Sequence, residues 1–433
     1  MKVTLTGTGI LTNMTTLTAQ FITLNTNGVA NGTITNTQYV QANTSNLTLL
    51  ANTTTGNLAA NIIGVTVVNK TGNATWILTS TASNYTGNTV ISNGTLQIAG
   101  DGSLGSTSGG LVFAPGGTSV TTLKFGAATT LDAGRTIYLQ TSGAGNAATF
   151  DTNGNNIVIN SSISGYGNGT AGNFTKSGSG NLVVNSSLPA GVPAVTVSAG
   201  LLQPGTTVAT NWVPAGANLT LSAAGVTYDL NGGNQILTGG LTGANGSFLI
   251  NSVSGNQANV TLVASGTFGG QIGGGNLNIP SNTNIVLNIN APGNTIILTN
   301  STFTYTGDTN VLAGTLQVGN ASANGGSLGS GNVNLSAGAI LQLSGDERID
   351  NMITGAGNVT VANGVAFLNN STNTYGQGNV TISGGVLEIV ADGSLGNTNN
   401  KITFTGNGTS NLANMHDLSF FGFHGNEIGR AHV

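Results

Sequence analysis

Cysteine is absent from the 433 residues. Its absence excludes disulfides, thiolate nucleophiles and cysteine-ligated zinc. Charge is nearly as scarce: Asp, Glu, Lys and Arg make up 5% of the chain, against roughly 25% in ordinary globular domains. The eight basic and twelve acidic residues are spread thinly and leave a formal charge of −4. No basic patch arises, so nucleic acid is not a partner. Helix formers are nearly missing, so helices are not expected. No apolar run approaches the roughly 20 residues of a membrane helix. All three histidines, His416, His424 and His432, lie close to the C-terminus, and the body has no imidazole for a Ser-His-Asp triad or a histidine metal site.

What is present is glycine, at 69 positions, with Asn, Thr, Ser, Val, Leu and Ile. Recurrent aliphatic and β-branched residues argue against disorder. One cassette recurs. Residues 304–318, Thr-Tyr-Thr-Gly-Asp-Thr-Asn-Val-Leu-Ala-Gly-Thr-Leu-Gln-Val, match 84–98, and a third copy, one residue longer, fills 374–389. Leu78, Leu298 and Leu368 stand seven residues before the three tyrosines, and Ser-Leu-Gly follows at 103–105, 327–329 and 394–396. A repeat of this size signals a solenoid in which one unit stacks on the next.

The cassette alternates apolar and polar residues with the period of a half-buried strand. Leu96 with Ile98, Leu316 with Val318 and Leu387 with Ile389 are expected to point inward, preceded by Ile91, Val311 and Ile382. Gly94, Gly314 and Gly385 sit where a sharp turn needs a residue free of Cβ sterics. Tyr85, Tyr305 and Tyr375 read as coil corners rather than binding residues. Stacking explains the missing charge: like charges about 4.8 Å apart on neighbouring coils repel by about 1 kcal/mol even in water, whereas Asn forms hydrogen-bonded ladders. Coils of roughly 20–25 residues would give roughly 17–20 coils in an elongated rod.

Residues 1–412 read as one continuous solenoid with cassettes near 71–105, 293–329 and 365–396, prolines 189, 193, 204 and 214 marking an irregular corner. Composition changes at 413–433, a non-solenoid tail, and Glu427-Ile-Gly-Arg-Ala-His-Val433 resembles a translated sequencing adapter. The opening Met-Lys-Val-Thr-Leu-Thr-Gly lacks a signal-peptide core, so Met1 is read as an internal start.

Tyr-Thr-Gly-x-Thr followed by Gly-Thr-Leu-Gln-Val at 305–318 and by Gly-Thr-Leu-Gln-Ile at 85–98, with Phe-Asp-Thr-Asn-Gly-Asn at 150–155 and Lys-Ser-Gly-Ser-Gly-Asn-Leu at 176–182, resembles the autotransporter-associated β-strand repeat of bacterial type V secreted proteins. The resemblance implies an all-β, right-handed parallel β-helix, exported to the cell surface through a C-terminal outer-membrane β-barrel in cis. That barrel is not in this sequence, which is accordingly taken as a fragment. A host or environmental surface ligand of unknown identity is implied, and the passenger is expected to be a monomer.

Motifs that carry chemistry are few. Asp151 with Asn153 and Asp229 with Asn231, each before a glycine, read as Asx turns; the alternative, a calcium loop, needs several carboxylates, and each copy supplies one. Gly325-Gly-Ser-Leu-Gly329 matches a nucleophile elbow by letter but has no base nearby. Gly167-Asn-Gly-Thr-Ala-Gly172 matches the dinucleotide pattern, but no helix is expected after it. Asp346-Glu347-Arg348-Ile349-Asp350 reads as a solvated loop with an internal ion pair, though it offers the carboxylates a glycan-cleaving β-helix would need. No catalytic, metal or cofactor residue is assigned, and no cofactor is expected. The leading reading is a structural or adhesive surface passenger that is not an enzyme. The alternatives are a β-helical polysaccharide-cleaving enzyme and a Thr-rich ice-binding surface. The second needs Thr-x-Thr at regular intervals; Thr4-Leu-Thr6, Thr33-Ile-Thr35 and Thr79-Ser-Thr81 are irregular.

Overall fold

The computed structural model describes residues 46–116, 119–140, 147–165, 171–205, 210–274, 283–321, 326–376 and 379–405, and, before and after these, the strands 2–6, 16–18, 21–25, 33–34, 39–41, 411–414, 420–424 and 427–430. Among them the regular elements are β-strands apart from two single-turn 3-10 helices, Asp101–Leu104 and Asp392–Leu395. The fold is an all-β parallel solenoid. The chain forms two compact units, Met1–Val208 and Ala209–Val433, whose boundary falls inside the proline-bearing stretch 189–214.

In the first unit the chain winds over three faces. Asn46–Leu50, Val67–Thr71, Asn88–Ile91, Leu111–Phe113, Thr136–Leu139 and Ser162–Gly165 pair in parallel on one. Gly56–Leu58, Thr75–Leu78, Gly94–Ile98, Thr121–Phe125, Ala147–Asp151, Asn173–Ser177 and Ala194–Val197 form the second. Thr129–Leu131, Ile157–Ile159, Asn181–Val184 and Leu201–Pro204 form the third. Alternation does the sorting: in Thr-Trp-Ile-Leu at 75–78, Trp76 and Leu78 are buried and their neighbours are not. Side chains in register then stack into columns, such as Trp76, Leu96, Leu123 and Phe150, all 0% exposed. Each full burial of such a side chain is worth about 1.5–3 kcal/mol.

The second unit repeats the scheme with a variation at the corner. Ile285–Leu298 and Thr309–Val318 each run through a bend and so contribute to two faces. Leu287–Ile289 pairs with Thr309–Val311 and Thr295–Leu298 with Thr315–Val318, with register shifts between the two blocks. These bent strands join two faces edge to edge without rolling the sheet into a barrel. One inward column runs Ile296, Leu316, Leu341, Val359, Val380 and Ile402, none more than 2% exposed.

Coil length varies more widely than the cassette spacing led one to expect. Thr75 pairs with Thr95, Thr95 with Thr122 and Gly266 with Ile296, so the longest of these coils exceeds the shortest by half. The added chain goes into corners, where length is tolerated, and register on the faces is kept. Leu316 in copy two and Val380 in copy three share one column, although Leu316 is in its cassette's second strand and Val380 in the first. The third copy is therefore set one face round the coil from the second. Beyond Asn411–Asn414, which pairs in parallel with Val386–Ile389, Phe420–His424 and Glu427–Arg430 pair antiparallel.

Leu316→Asp places a carboxylate among Ile296 and Leu341 and is expected to cost on the order of 4 kcal/mol or more. Asn320→Asp, at an exposed position just past the strand, is expected to change stability little. Equal melting temperatures of the two variants would contradict the column.

Candidate functional site: the repeated cassette

Two of the cassette's fixed parts, the tyrosine and Ser-Leu-Gly, close on one another. Tyr85, Tyr305 and Tyr375 are at most 1% exposed, as a corner role requires. Their hydroxyls need partners there. The Tyr85 hydroxyl meets Thr89 Oγ1 at 2.5 Å and that of Tyr305 meets Thr309 Oγ1 at 2.7 Å. In the third copy the extra residue falls between Tyr375 and Ile382, which aligns Val380 with those threonines, and the Tyr375 hydroxyl turns to the Ser394 carbonyl at 3.5 Å. The tyrosine's own carbonyl accepts the N–H just after Ser-Leu-Gly: Ser106, Ser330 and Asn397, at 2.8, 2.9 and 2.8 Å. Glycine ends that triplet because a Cβ on Gly105, Gly329 or Gly396 would collide with the tyrosine carbonyl. Gly94, Gly314 and Gly385 have φ of 67°, 80° and 77°, the left-handed region glycine adopts at no steric cost. All nine inward apolar positions of the three cassettes are 0% exposed.

Ionisable groups inside the coils are structural too, and the sequence pattern read as outward-polar conceals them. Lys70 lies on the inward face with Val68, and Lys176 with Phe174. The Lys70 ammonium donates to the carbonyls of Thr71, Gly72 and Asn93 at 3.0, 2.7 and 2.9 Å. Lys176 donates to Thr152 Oγ1 and to the carbonyls of Ser177, Gly178 and Ala199 at 2.6–3.1 Å. Each lysine thereby caps inward-pointing carbonyls at corners of two successive coils. Burial pulls both pKa values down to about 8, with the nearby Asp151 holding Lys176 up. Arg135, 0% exposed, forms a two-pronged pair with Asp101 at 3.0 and 3.2 Å and also donates to the carbonyls of Leu104, Gly105 and Gly109. It ties Ser-Leu-Gly of the first cassette to the coil above.

The acidic cluster differs from the solvated loop expected of it. Glu347–Ile349 is a strand paired with Ala366–Leu368. Ile349 faces inward, so period-two geometry turns Glu347 inward as well, to 2% exposed. Its carboxyl lies against Gly319, where a Cβ would collide with Oε1, and neither oxygen makes a hydrogen bond of good geometry. Burial raises its pKa to about 8; the N–H groups of Ser344 and Gly326 oppose the rise and Asp346 adds to it. The expected ion pair is present between Arg348 and Asp350 at 2.9 Å, well exposed, with Arg348 over the Phe367 ring. Glu347 points away from both, so the carboxylates do not converge.

The remaining sequence candidates are turns and corners. Asp151 Oδ1 accepts the Asn153 N–H at 2.8 Å and Asp229 Oδ1 the Asn231 N–H at 2.9 Å, with both asparagines left-handed: these are Asx turns. Ser327 Oγ accepts the Phe303 N–H; Gly325 lies outside the described residues. A strand, Asn173–Ser177, follows Gly172; 167–170 lie outside the described residues, as do His416, His432 and the side chain of His424. Among the described residues no group of three or more His, Asp or Glu gathers to hold a metal. A depression on the first unit is lined by Asn73, Asn93, Thr95, Ser119, Val120 and Thr122, amides and hydroxyls beside one exposed valine, with no acid or base. Outer faces carry the expected ladders: Asn310 donates to Asn288 at 2.9 Å, Asn334 to Asn310 at 2.8 Å, and Thr354 to Asn334 at 2.6 Å.

The Glu347 shift gives a pH dependence. Folding favours its protonated form, so its contribution is full below about pH 4.5 and is lost as pH rises through about 8. Melting temperature is expected to fall from pH 5 to pH 9 in the wild type and to fall less in Glu347→Gln. An identical profile in the two proteins would contradict the buried placement.

No curated protein and no solved structure matches the chain. The third cassette lies outside the segments a known family matches. The first two reach into them: residues 68–98 and 293–318, which hold these copies as far as Ile98 and Val318, match the passenger-associated-transport-repeat family.

Proposed function

We propose that this chain is a structural, adhesive passenger region presented on a bacterial cell surface as a monomer, with the repeats serving export and coil-by-coil folding. The observation that carries this reading is the self-closure of the cassette. In the first two copies the tyrosine and threonine hydroxyls satisfy each other, and in all three the tyrosine carbonyl is satisfied by the N–H after Ser-Leu-Gly. A chain that emerges from a pore in an extended state folds unaided if each coil docks on the previous one, and nearest-neighbour stacking in a solenoid supplies that. The absence of cysteine suits the same route, since a periplasmic disulfide would cross-link a chain that must thread a pore. The outer-membrane β-barrel that would pass it is placed in cis, and a host or environmental surface is the ligand.

The test joins the chain to a signal peptide and an outer-membrane barrel in a bacterial host and measures surface protein by protease accessibility. Display is expected for the wild type and a drop of severalfold on deleting 68–98 and 293–318 together. Undiminished display after that deletion would sink the export role. The enzymatic alternative is addressed separately. Purified protein is expected to leave acidic and neutral polysaccharides uncleaved from pH 4 to 9, and turnover abolished by Asp346→Asn or Glu347→Gln would promote it.

A further inference from the structure

The outward face of the first unit carries a feature that the cassette reading does not use. Thr75 pairs with Thr95, Thr95 with Thr122, Thr122 with Thr149, Thr149 with Thr175, and Thr175 with Thr196. Six threonines thus stand on six successive rungs of one face, each opposite a buried neighbour and each partly exposed. Sequence spacing hides the column: the steps between its members are unequal, because coil corners differ in length while the strands keep register. The next outward column is Ile77, Gln97, Lys124, Asp151 and Ser177. Its two charges, on adjacent rungs, face each other at 4.0 Å and leave the strip without net charge.

We propose that this threonine column is an ice-binding face. Each rung presents one hydroxyl and one methyl at intervals of about 4.8 Å, close to the oxygen repeat of hexagonal ice along its a axis. Threonine's branched Cβ restricts χ1, so the hydroxyls are pre-placed and lose little entropy on adsorption. Stacked coils hold the strands against the twist a free sheet would take, and pairing without a register shift keeps the six rungs in line, although Thr95 and Thr122 also line the open depression flanked by Asn93 and Val120. The chemistry favours ice over the other periodic solid, a crystalline polysaccharide. Sugar rings are gripped by exposed aromatic faces, and neither outward column contains an aromatic residue, while the cassette tyrosines are buried. The array is one threonine wide, half the width of a Thr-x-Thr face, so the effect is slowed recrystallisation and faceting of ice rather than a wide freezing gap.

The experiment freezes the full chain in a sucrose solution and follows ice-grain growth, with single-crystal habit as a second readout. Wild type is expected to slow grain growth several-fold relative to buffer. Thr122→Tyr with Thr149→Tyr, which breaks the column at its centre, is expected to lose that effect. Thr130→Tyr, exposed on another face, is expected to retain it, and melting temperatures verify that all three proteins are folded. Thr122→Ser with Thr149→Ser removes only the methyls and is expected to weaken the effect without steric load. Grain growth equal to buffer in the wild type, or full activity in both double variants, overturns the proposal. So does retention on crystalline cellulose or chitin through the same threonines with no effect on ice.

Discussion

In-register parallel stacking is the constraint on which everything else in this structure depends. Successive rungs lie about 4.8 Å apart, so every residue meets its counterparts above and below, and a residue that cannot tolerate its own kind at that distance is excluded. Inward positions become apolar columns such as Ile296–Leu316–Leu341–Val359. Outward positions become ladders such as Asn288–Asn310–Asn334. Among the described residues, charge inside is satisfied by backbone, as at Lys70 and Lys176, or paired, as at Arg135 with Asp101. Glu347 is the exception, and burial keeps it largely protonated at neutral pH.

Corners are where such a stack is weakest, because the ladder of backbone hydrogen bonds is interrupted there. The cassette answers that problem. A buried tyrosine fills the corner, its carbonyl takes the N–H beyond Ser-Leu-Gly of the following coil, and a left-handed glycine turns the chain into the next strand. Elsewhere corner asparagines and aspartates do related work, as when Asn88 accepts the Gly110 N–H and Asp346 the Val365 N–H. Variation in coil length is absorbed at these sites without disturbing the faces.

Much of this was legible in the sequence for a simple reason: period-two alternation reports orientation directly. Leu96, Ile98, Leu316, Val318, Leu387 and Ile389 point inward as read, the tyrosines occupy corners, and Asp151 and Asp229 make Asx turns. Lys70, Lys176 and Glu347 are buried against their polarity, so residue type alone does not place them. The same alternation, followed through Val68, Phe174 and Ile349, places all three inside. What no local pattern reveals is register between coils. The third cassette's displacement by one face and the six-threonine column both follow from coil lengths that depend on corners distant in sequence.

Register is therefore the claim to test directly, and a chain without cysteine is suited to it. A double variant with Thr122→Cys and Thr149→Cys places two thiols on adjacent rungs at partnered positions, within the Cα separation a disulfide accepts, up to about 7 Å. Thr122→Cys with Ala147→Cys puts the second thiol on the same outward face two residues out of register. Mild oxidation is expected to cross-link the first pair rapidly and quantitatively, seen as a mobility shift on non-reducing gels, and to leave the second reduced. Equal cross-linking of both pairs, or of neither, would contradict in-register stacking.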